Sequence, residues 1–144
     1  MTMSTPAVRV TDVSRSYVVN SERVMALRNI NLTVEEGAFI ALMGRSGSGK
    51  TTLLNMIGGL DQPSEGEVAL YGTPLNGMNQ EKLTLLRREK IGFIFQSFAL
   101  LPILSAWENV EMPLRIAGVR SGRERRQRSE AALALVGLEK WATH

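Results

Sequence analysis

The chain has 144 residues, with 17 Lys and Arg against 14 Asp and Glu, one histidine and no cysteine. Without cysteine there is no disulfide framework, thiolate nucleophile or cysteine-based metal site. The single histidine, His144, argues against a Ser–His–Asp triad and against a multi-histidine metal site. The length suits one domain, and a hydrophobic fraction of 44% is ordinary for a globular protein.

The net charge of +3 is small but unevenly distributed. Residues 115–128 contain six arginines and one glutamate, which leaves 11 basic and 13 acidic residues elsewhere. Such a block is typical of a nucleic-acid or anionic-membrane contact, or of the solvated face of a helix. No aromatic residues interleave with the arginines, which argues against single-stranded nucleic acid. We therefore expect a solvated helix face and no nucleic-acid partner.

No targeting or membrane-spanning segment is predicted. Residues 1–10 lack the apolar core of a signal peptide. The longest uninterrupted apolar run, residues 38–43, is far shorter than the ~20 residues that span a bilayer. We expect a soluble chain, or one held at a membrane by a partner.

The first third of the chain is predicted to be β-structure. Apolar and polar residues alternate in four short stretches, with a turn around residues 20–22. The predicted strands are residues 7–13, 17–19, 24–27 and 30–34. A continuous apolar run at residues 39–43 predicts a further strand, covered on both faces.

Strands and helices then alternate. A helix is predicted from Lys50 to Ile57, with Leu53, Leu54 and Ile57 on its apolar face. A strand at residues 66–71 follows, then a helix that begins after Asn79 and runs to residue 88, then a strand at residues 91–95.

Two capping boxes predict the last helices. Ser105 and Glu108 begin a helix that Pro113 should kink or interrupt. Ser121 and Glu124 begin the arginine-rich helix, whose apolar second half, ending near residue 137, should pack while its first half stays solvated. The whole pattern predicts an α/β fold with an antiparallel β layer at its N-terminal end.

One motif carries chemistry. It is the glycine-rich P-loop pattern G-x-x-x-x-G-K-[ST], and it lies between a predicted strand and a predicted helix. It reads Gly44-Arg45-Ser46-Gly47-Ser48-Gly49-Lys50-Thr51.

Each residue type in this loop suits a polyphosphate. Glycines permit positive φ and let the backbone N–H groups approach the phosphates closely. The N-terminus of the following helix adds unpaired N–H groups and a positive dipole end. Lys50 is expected to reach the β- and γ-phosphates, Thr51 to ligate Mg²⁺ through its hydroxyl, and Thr52 to touch the α-phosphate.

The motif alone leaves several nucleotide-binding classes open. A GTPase would need an N-K-x-D motif, which is not found, and neither Asp12 nor Asp61 begins the D-x-x-G of a switch. A small-molecule kinase remains open.

The chain resembles the ATP-binding-cassette family in four stretches along almost its whole length. They are Arg15-Ser16-Tyr17; the P-loop with its continuation Thr52-Leu53-Leu54; Ile91-Gly92-Phe93-Ile94-Phe95-Gln96; and Leu100-Leu101-Pro102 with Glu108-Asn109-Val110. Residues 65–72 fit as well. Within the family, residues 20–25, 86–88 and 108–114 resemble the lipoprotein-release and macrolide-efflux group.

The resemblance implies roles for two residues outside the P-loop. Tyr17 would stack on the adenine of ATP. Gln96 would sense the γ-phosphate and Mg²⁺ and link them to a membrane partner, as a neutral amide can ligate the metal through its oxygen and orient a water. Gly44, Ser46, Gly47, Ser48, Gly49, Lys50, Thr51 and Thr52 would bind the phosphates.

The resemblance also implies that this is the N-terminal portion of a longer domain. The signature loop, the apolar strand ending in Asp-Glu and the switch histidine of the family are not found, and His144 does not match the switch position. We expect an incomplete ATP-binding domain, with the β layer and P-loop core in residues 1–96 and the start of a helical subdomain in residues 97–144.

The leading hypothesis is the ATP-binding subunit of a transporter. It would hydrolyse ATP in the parent protein, pair with a second such subunit and with transmembrane permease subunits, and lie in the cytoplasm on the inner face of the cell membrane. The alternatives are a non-transport cassette ATPase and a nucleotide-binding fragment without turnover.

Overall fold

The computed structural model describes residues 5–143, which form two compact units, one ending at Arg87 and the other beginning at Arg88. His144, considered above for a histidine site, lies outside the described residues. Among the helices of residues 5–143, none has both the length and the apolarity needed to cross a bilayer.

The first unit begins with a long antiparallel hairpin of β1 (Val8–Val19) and β2 (Glu22–Val34). Asn20 and Ser21 connect the strands with φ angles of 49° and 68°. Two consecutive positive φ angles are characteristic of the type I′ turn, whose twist matches that of the paired strands. The four strands predicted in this region are therefore two long strands. The pairing between them shifts register at three places between residues 10 and 16 of β1.

Two further strands complete the sheet. β3 (Glu65–Leu70) pairs with β1, and the short β4 (Thr73–Pro74) pairs with β3, giving the order β2-β1-β3-β4 with every pairing antiparallel. The predicted N-terminal antiparallel layer is confirmed.

Two helices begin in the first unit, and the last three residues of the second helix belong to the second unit. α1 (Lys50–Ile57) has the predicted bounds, but it buries Leu53 and Met56, while Leu54 is exposed. The predicted apolar face was thus placed about one residue off, because α1 turns Leu53 and Met56, three residues apart, towards the same side. α2 (Gln80–Lys90) begins where Asn79 Oδ1 accepts the Lys82 N–H at 2.9 Å.

The core of the first unit lies between the sheet and these helices. Its buried apolar side chains come from β1, β2, α1, β3 and α2, together with one residue of the loop before α2. They are Val10, Val13, Leu27, Leu53, Met56, Val68, Ala69, Leu70, Leu75 and Leu83.

Two predicted strands do not form. Residues 39–43 and 91–95 have no strand partner among residues 5–143. Phe39 is 97% exposed, and Ile94 is fully exposed. The prediction that residues 39–43 form a strand covered on both faces was therefore wrong. A strand is defined by hydrogen bonds to a neighbouring strand, and the described residues supply no such neighbour.

The second unit is helical. α3 (Ala106–Ile116) begins with the predicted capping box: the Glu108 N–H donates to Ser105 Oγ, and Glu108 Oε2 accepts the Ser105 N–H at 2.8 Å. The Glu108 carboxylate accepts hydrogen bonds from the backbone N–H of Ser105 and from its hydroxyl. These two bonds, the backbone one more strongly, lower the pKa of Glu108 below its ordinary value. Asn109 fastens the preceding loop by donating to the Leu101 and Leu104 carbonyls.

Pro113 does not interrupt α3, contrary to one of the two predicted outcomes. A proline removes one N–H bond from a helix, here the one to the carbonyl four residues earlier. The capping box holds the start of α3, and an ion pair to the next helix holds its middle, so that single loss is tolerated.

The arginine-rich helix α4 (Gly122–Leu135) is followed by a 3₁₀ turn at Glu139–Trp141. Ser121 accepts the Glu124 N–H as predicted, but the Glu124 carboxylate faces Arg128 instead of returning to the cap. The expectation of a fully solvated arginine half was wrong for Arg125, which is partly buried against Glu111 of α3 at 2.6 Å. The apolar end of α4 buries Leu133.

Candidate functional site

The glycine-rich loop connects residues 39–43 to the start of α1. Ser46 and Gly47 form its exposed tip, and the Ser48 N–H closes a turn by donating to the Arg45 carbonyl at 3.2 Å. Gly47 and Gly49 adopt positive φ angles of 78° and 88°, a conformation that favours glycine. The predicted loop therefore has the backbone conformation for which its glycines were expected.

Gly49 has a second reason to be glycine. A Cβ at this position would lie 2.6 Å from both the Ala26 carbonyl oxygen and Leu27 Cδ2. The end of the loop is thus packed directly against β2, and this contact fixes the start of α1 relative to the hairpin.

The Lys50 ammonium group is held by the loop itself. Lys50 Nζ donates to the carbonyls of Gly44 at 2.9 Å and Arg45 at 2.7 Å, and to Ser48 Oγ at 3.3 Å. The loop therefore encircles a fixed positive charge, which is the arrangement needed to attract an anion.

The first turn of α1 adds donors beside this charge. The N–H groups of Lys50, Thr51 and Thr52 belong to the first turn, where no intrahelical acceptor exists, and no acidic side chain lies there to occupy them. Thr51 is exposed and Thr52 half-buried. The Lys50 ammonium, the free N–H groups of the first turn and the two threonine hydroxyls together suit the binding of a polyphosphate. A threonine hydroxyl is also an oxygen ligand of the kind that Mg²⁺ accepts.

Tyr17 lies in the same unit, on β1, opposite Val24 of β2. Its ring is half-buried, and its hydroxyl donates to Asp61 Oδ2 at 2.6 Å. Two residues earlier on the same strand, Arg15 is paired with Leu27, the residue that packs against Gly49. The hairpin that carries the Tyr17 ring therefore also supports the glycine-rich loop.

Sequence reasoning missed Asp61 and Arg15 as parts of this region. Arg15 makes two hydrogen bonds to the Asp61 carboxylate, at 2.7 and 3.1 Å, and its guanidinium lies 4.5 Å from the centre of the Tyr17 ring. A hydrogen bond with the Tyr17 side chain, and then the charge of Asp61, raise the pKa of Arg15 above its ordinary value. The only signal was that Asp61 is one of two aspartates in the chain.

Gln96 belongs to the second unit. It is exposed and directly follows residues 91–95, in a turn that the Phe98 N–H closes on the Phe95 carbonyl at 3.2 Å. The predicted end of this segment at Gln96 agrees with that turn.

Comparison with known proteins gives a consistent set of relatives. The ABC transporter family profile matches residues 27–144. The chain is 46% identical over 140 residues to an uncharacterized ABC transporter ATP-binding protein, MJ0796, of Methanocaldococcus jannaschii, covering 95% of this chain and 60% of that protein. It is 43% identical to the lipoprotein-releasing system ATP-binding protein LolD of Saccharophagus degradans, covering 99% of this chain and 62% of that protein.

Comparison with solved structures points to the same family. A dimeric structure of MJ0796, described as a bacterial ABC transporter cassette, superposes with a TM-score of 0.89 at 46% identity, over 95% of this chain and 60% of that one. A second dimeric structure, of a post-hydrolysis state bound to ADP and Pi, gives a TM-score of 0.88. The chain thus spans about 60% of the length of these relatives.

Proposed function

Because this chain belongs to the ABC transporter family, we propose that it is the ATP-binding part of a transporter, coupling ATP binding and hydrolysis to the movement of a substrate by a transmembrane partner. The observation that carries the proposal is the loop of residues 44–49 closed around the Lys50 ammonium at the N-terminus of α1. The lipoprotein-release and macrolide-export relatives support the transporter assignment.

The proposed roles follow the chemistry of the loop. The backbone of Gly44, Ser46, Gly47, Ser48 and Gly49 binds the β- and γ-phosphates, and Lys50 neutralises their charge. Thr52 orients the α-phosphate, and the Tyr17 ring stacks on the adenine.

Thr51 and Gln96 are proposed to hold Mg²⁺ through their side-chain oxygens. The metal, when bound, neutralises charge on the phosphates. Gln96 also orients the attacking water and signals the state of the nucleotide to the partner. Within the 144 residues we assign no carboxylate as general base, so a polypeptide of these residues alone is proposed to bind ATP without appreciable turnover.

An apolar surface of the second unit supports the proposal that a membrane protein docks on this chain. Next to Gln96 in the sequence, an apolar hollow of about 620 Å³ lies between the segment of residues 93–101 and α3. Its apolar lining includes Phe93, Phe95, Phe98, Leu101, Met112 and Ile116. We propose that a cytoplasmic segment of a permease subunit docks there, and that a second copy of the ATP-binding subunit completes the assembly on the inner face of the cell membrane.

The test of nucleotide binding is Lys50→Ala in the intact protein. Removing the ammonium from the loop should abolish ATP binding measured by calorimetry and reduce ATP hydrolysis to background. Arg45→Ala is a suitable control, because only the Arg45 backbone takes part in the loop contacts. Unchanged ATP affinity in Lys50→Ala would contradict the proposal.

The role of the partner has its own test. Affinity purification of the intact protein from solubilised membranes should recover a transmembrane subunit, and Phe98→Glu, placed in the hollow, should reduce that recovery. For the isolated 144 residues, ATP hydrolysis above that of their Lys50→Ala variant would contradict the proposed lack of turnover.

A further inference from the structure

The Asp61 carboxylate is the centre of a closed set of contacts around the Tyr17 ring. It accepts four hydrogen bonds: two from the Arg15 guanidinium at 2.7 and 3.1 Å, one from the Tyr17 hydroxyl at 2.6 Å, and one from the Gln62 N–H at 2.8 Å. The Arg15 and Asp61 side chains are only 23% and 24% exposed. Water competes weakly for charge-assisted bonds in such a setting, so the arrangement is firm.

Two different contacts restrict the Tyr17 ring, one against displacement of its hydroxyl end and the other against rotation about its long axis. The bond to Asp61 holds the hydroxyl end, which still leaves rotation of the ring about its long axis. The Arg15 guanidinium, 4.5 Å from the ring centre, lies against one face and sets the plane of the ring. Because Arg15 is itself bound to Asp61, the three side chains constrain one another.

The Arg15 contact limits where a planar ligand can stack on the Tyr17 ring. Arg15 occupies one face, so a planar ligand has only the opposite face of Tyr17 on which to stack. The strand register then sets its distance from the loop, because Arg15 is paired with Leu27 and Leu27 packs against Gly49.

We propose that Asp61 and Arg15 are positioning residues for nucleotide binding, which hold the Tyr17 ring ready as a stacking surface for the base. The inference rests on the proposed function, in which Tyr17 stacks on the adenine. A ring that is already ordered loses little conformational entropy when the base binds, so the two residues increase affinity for the base without touching it. Their side-chain hydrogen bonds and ion pair join them to each other, to Tyr17 and to Gln62, and not to residues 44–49.

The test compares two ligands, ATP and inorganic tripolyphosphate, in the intact protein. Tripolyphosphate offers the phosphates without the base, so it reports on the loop alone. Asp61→Asn puts an NH₂ group in place of one carboxylate oxygen, facing donors on Arg15, Tyr17 or Gln62. Calorimetry should show ATP affinity falling about three- to tenfold, the range of one aromatic stacking contact, with tripolyphosphate affinity unchanged.

Matched variants separate positioning from general damage. Asp12→Asn removes the other aspartate, which bonds to Asn31 away from Tyr17, and should leave both affinities unchanged. Tyr17→Phe keeps the ring and removes the hydroxyl, which bonds to Asp61 and also contacts Arg15. It should weaken ATP binding, with little further loss when it is combined with Asp61→Asn.

The outcomes distinguish this inference from the function on which it rests. If Tyr17→Ala weakens ATP binding while Asp61→Asn does not, the positioning role is overturned and the proposed function stands. An equal fall in ATP and tripolyphosphate affinity in Asp61→Asn would also overturn it, because the role would then be structural. If Tyr17→Ala leaves ATP affinity unchanged, the stacking contact itself is excluded, whereas unchanged ATP affinity in Lys50→Ala contradicts nucleotide binding at the loop.

Discussion

Gly47 and Gly49 have nearly the same backbone conformation but different surroundings. Their φ angles are 78° and 88°, so a side chain at either position is strained. A Cβ on Gly47 would meet nothing within 4 Å, whereas one on Gly49 would meet the Ala26 carbonyl and Leu27 at 2.6 Å. The motif pattern treats both glycines as parts of a phosphate loop, but Gly49 is also a packing contact.

This difference predicts unequal stabilities for two alanine variants. Gly47→Ala should lower the free energy of unfolding by about 1–2 kcal/mol, the cost of a left-handed side chain. Gly49→Ala should lose about 1–3 kcal/mol more, because the backbone of β2 has to move to admit the methyl group. Chemical denaturation of both variants measures the difference, and equal losses would show that the contact with β2 does not constrain Gly49.

The helices of the second unit are joined by one ion pair between α3 and α4. Glu111 is 7% exposed, and Arg125 reaches it at 2.6 Å. Arg125 also donates to the carbonyls of Val119 and Arg120 at 2.9 Å, which fastens the loop between the two helices. Other arginines of α4 make exposed pairs within the helix, such as Arg128 with Glu124.

Removal of Arg125 should therefore destabilise the protein far more than removal of Arg128. Arg125→Met leaves the Glu111 carboxylate buried near Arg115 only, 4.0 Å away, and we expect a loss of about 3–5 kcal/mol. Arg128→Met removes an exposed pair worth at most about 1 kcal/mol.

Urea denaturation of both arginine variants tests the comparison. The double variant Glu111→Leu/Arg125→Met should recover much of the loss, since it leaves no buried charge unpaired. If Arg125→Met and Arg128→Met are equally stable, the Glu111–Arg125 ion pair is not what joins α3 to α4.

At the scale of the whole molecule, the exposed apolar segments stand out. Residues 39–43 and 91–95 belong to no strand within the described part of the chain, and Phe39, Met43 and Ile94 are at least 90% exposed. Extended apolar backbone with unsatisfied N–H and C=O groups is a template for pairing between chains.

A polypeptide of these 144 residues alone should therefore self-associate. Sedimentation velocity over a range of protein concentrations should show species larger than the monomer. The double variant Phe39→Lys/Ile94→Lys should be more monomeric, because charges at such edges oppose pairing. A monodisperse monomer that melts cooperatively would contradict the prediction.

The sequence by itself determined the features that depend on neighbouring residues. The turn after β1, the Asn79 cap, the Ser105–Glu108 capping box and the turn of the glycine-rich loop each depend on contacts between groups a few residues apart. Such contacts form whenever the local residue types are right, so pattern and propensity predict them. The motif also carried the family resemblance, which the comparisons confirm.

Only the tertiary structure decided which distant residues meet. Asp61 reaches Tyr17 across 44 positions of sequence, Arg125 reaches Glu111 from the next helix, and Gly49 packs against β2. The same holds for residues 39–43, whose apolar run predicts a strand, although a strand exists only where a partner supplies its hydrogen bonds. Local preference encodes what a segment can form, and long-range packing selects whether and where it forms, because its free energy comes from contacts with residues remote in sequence.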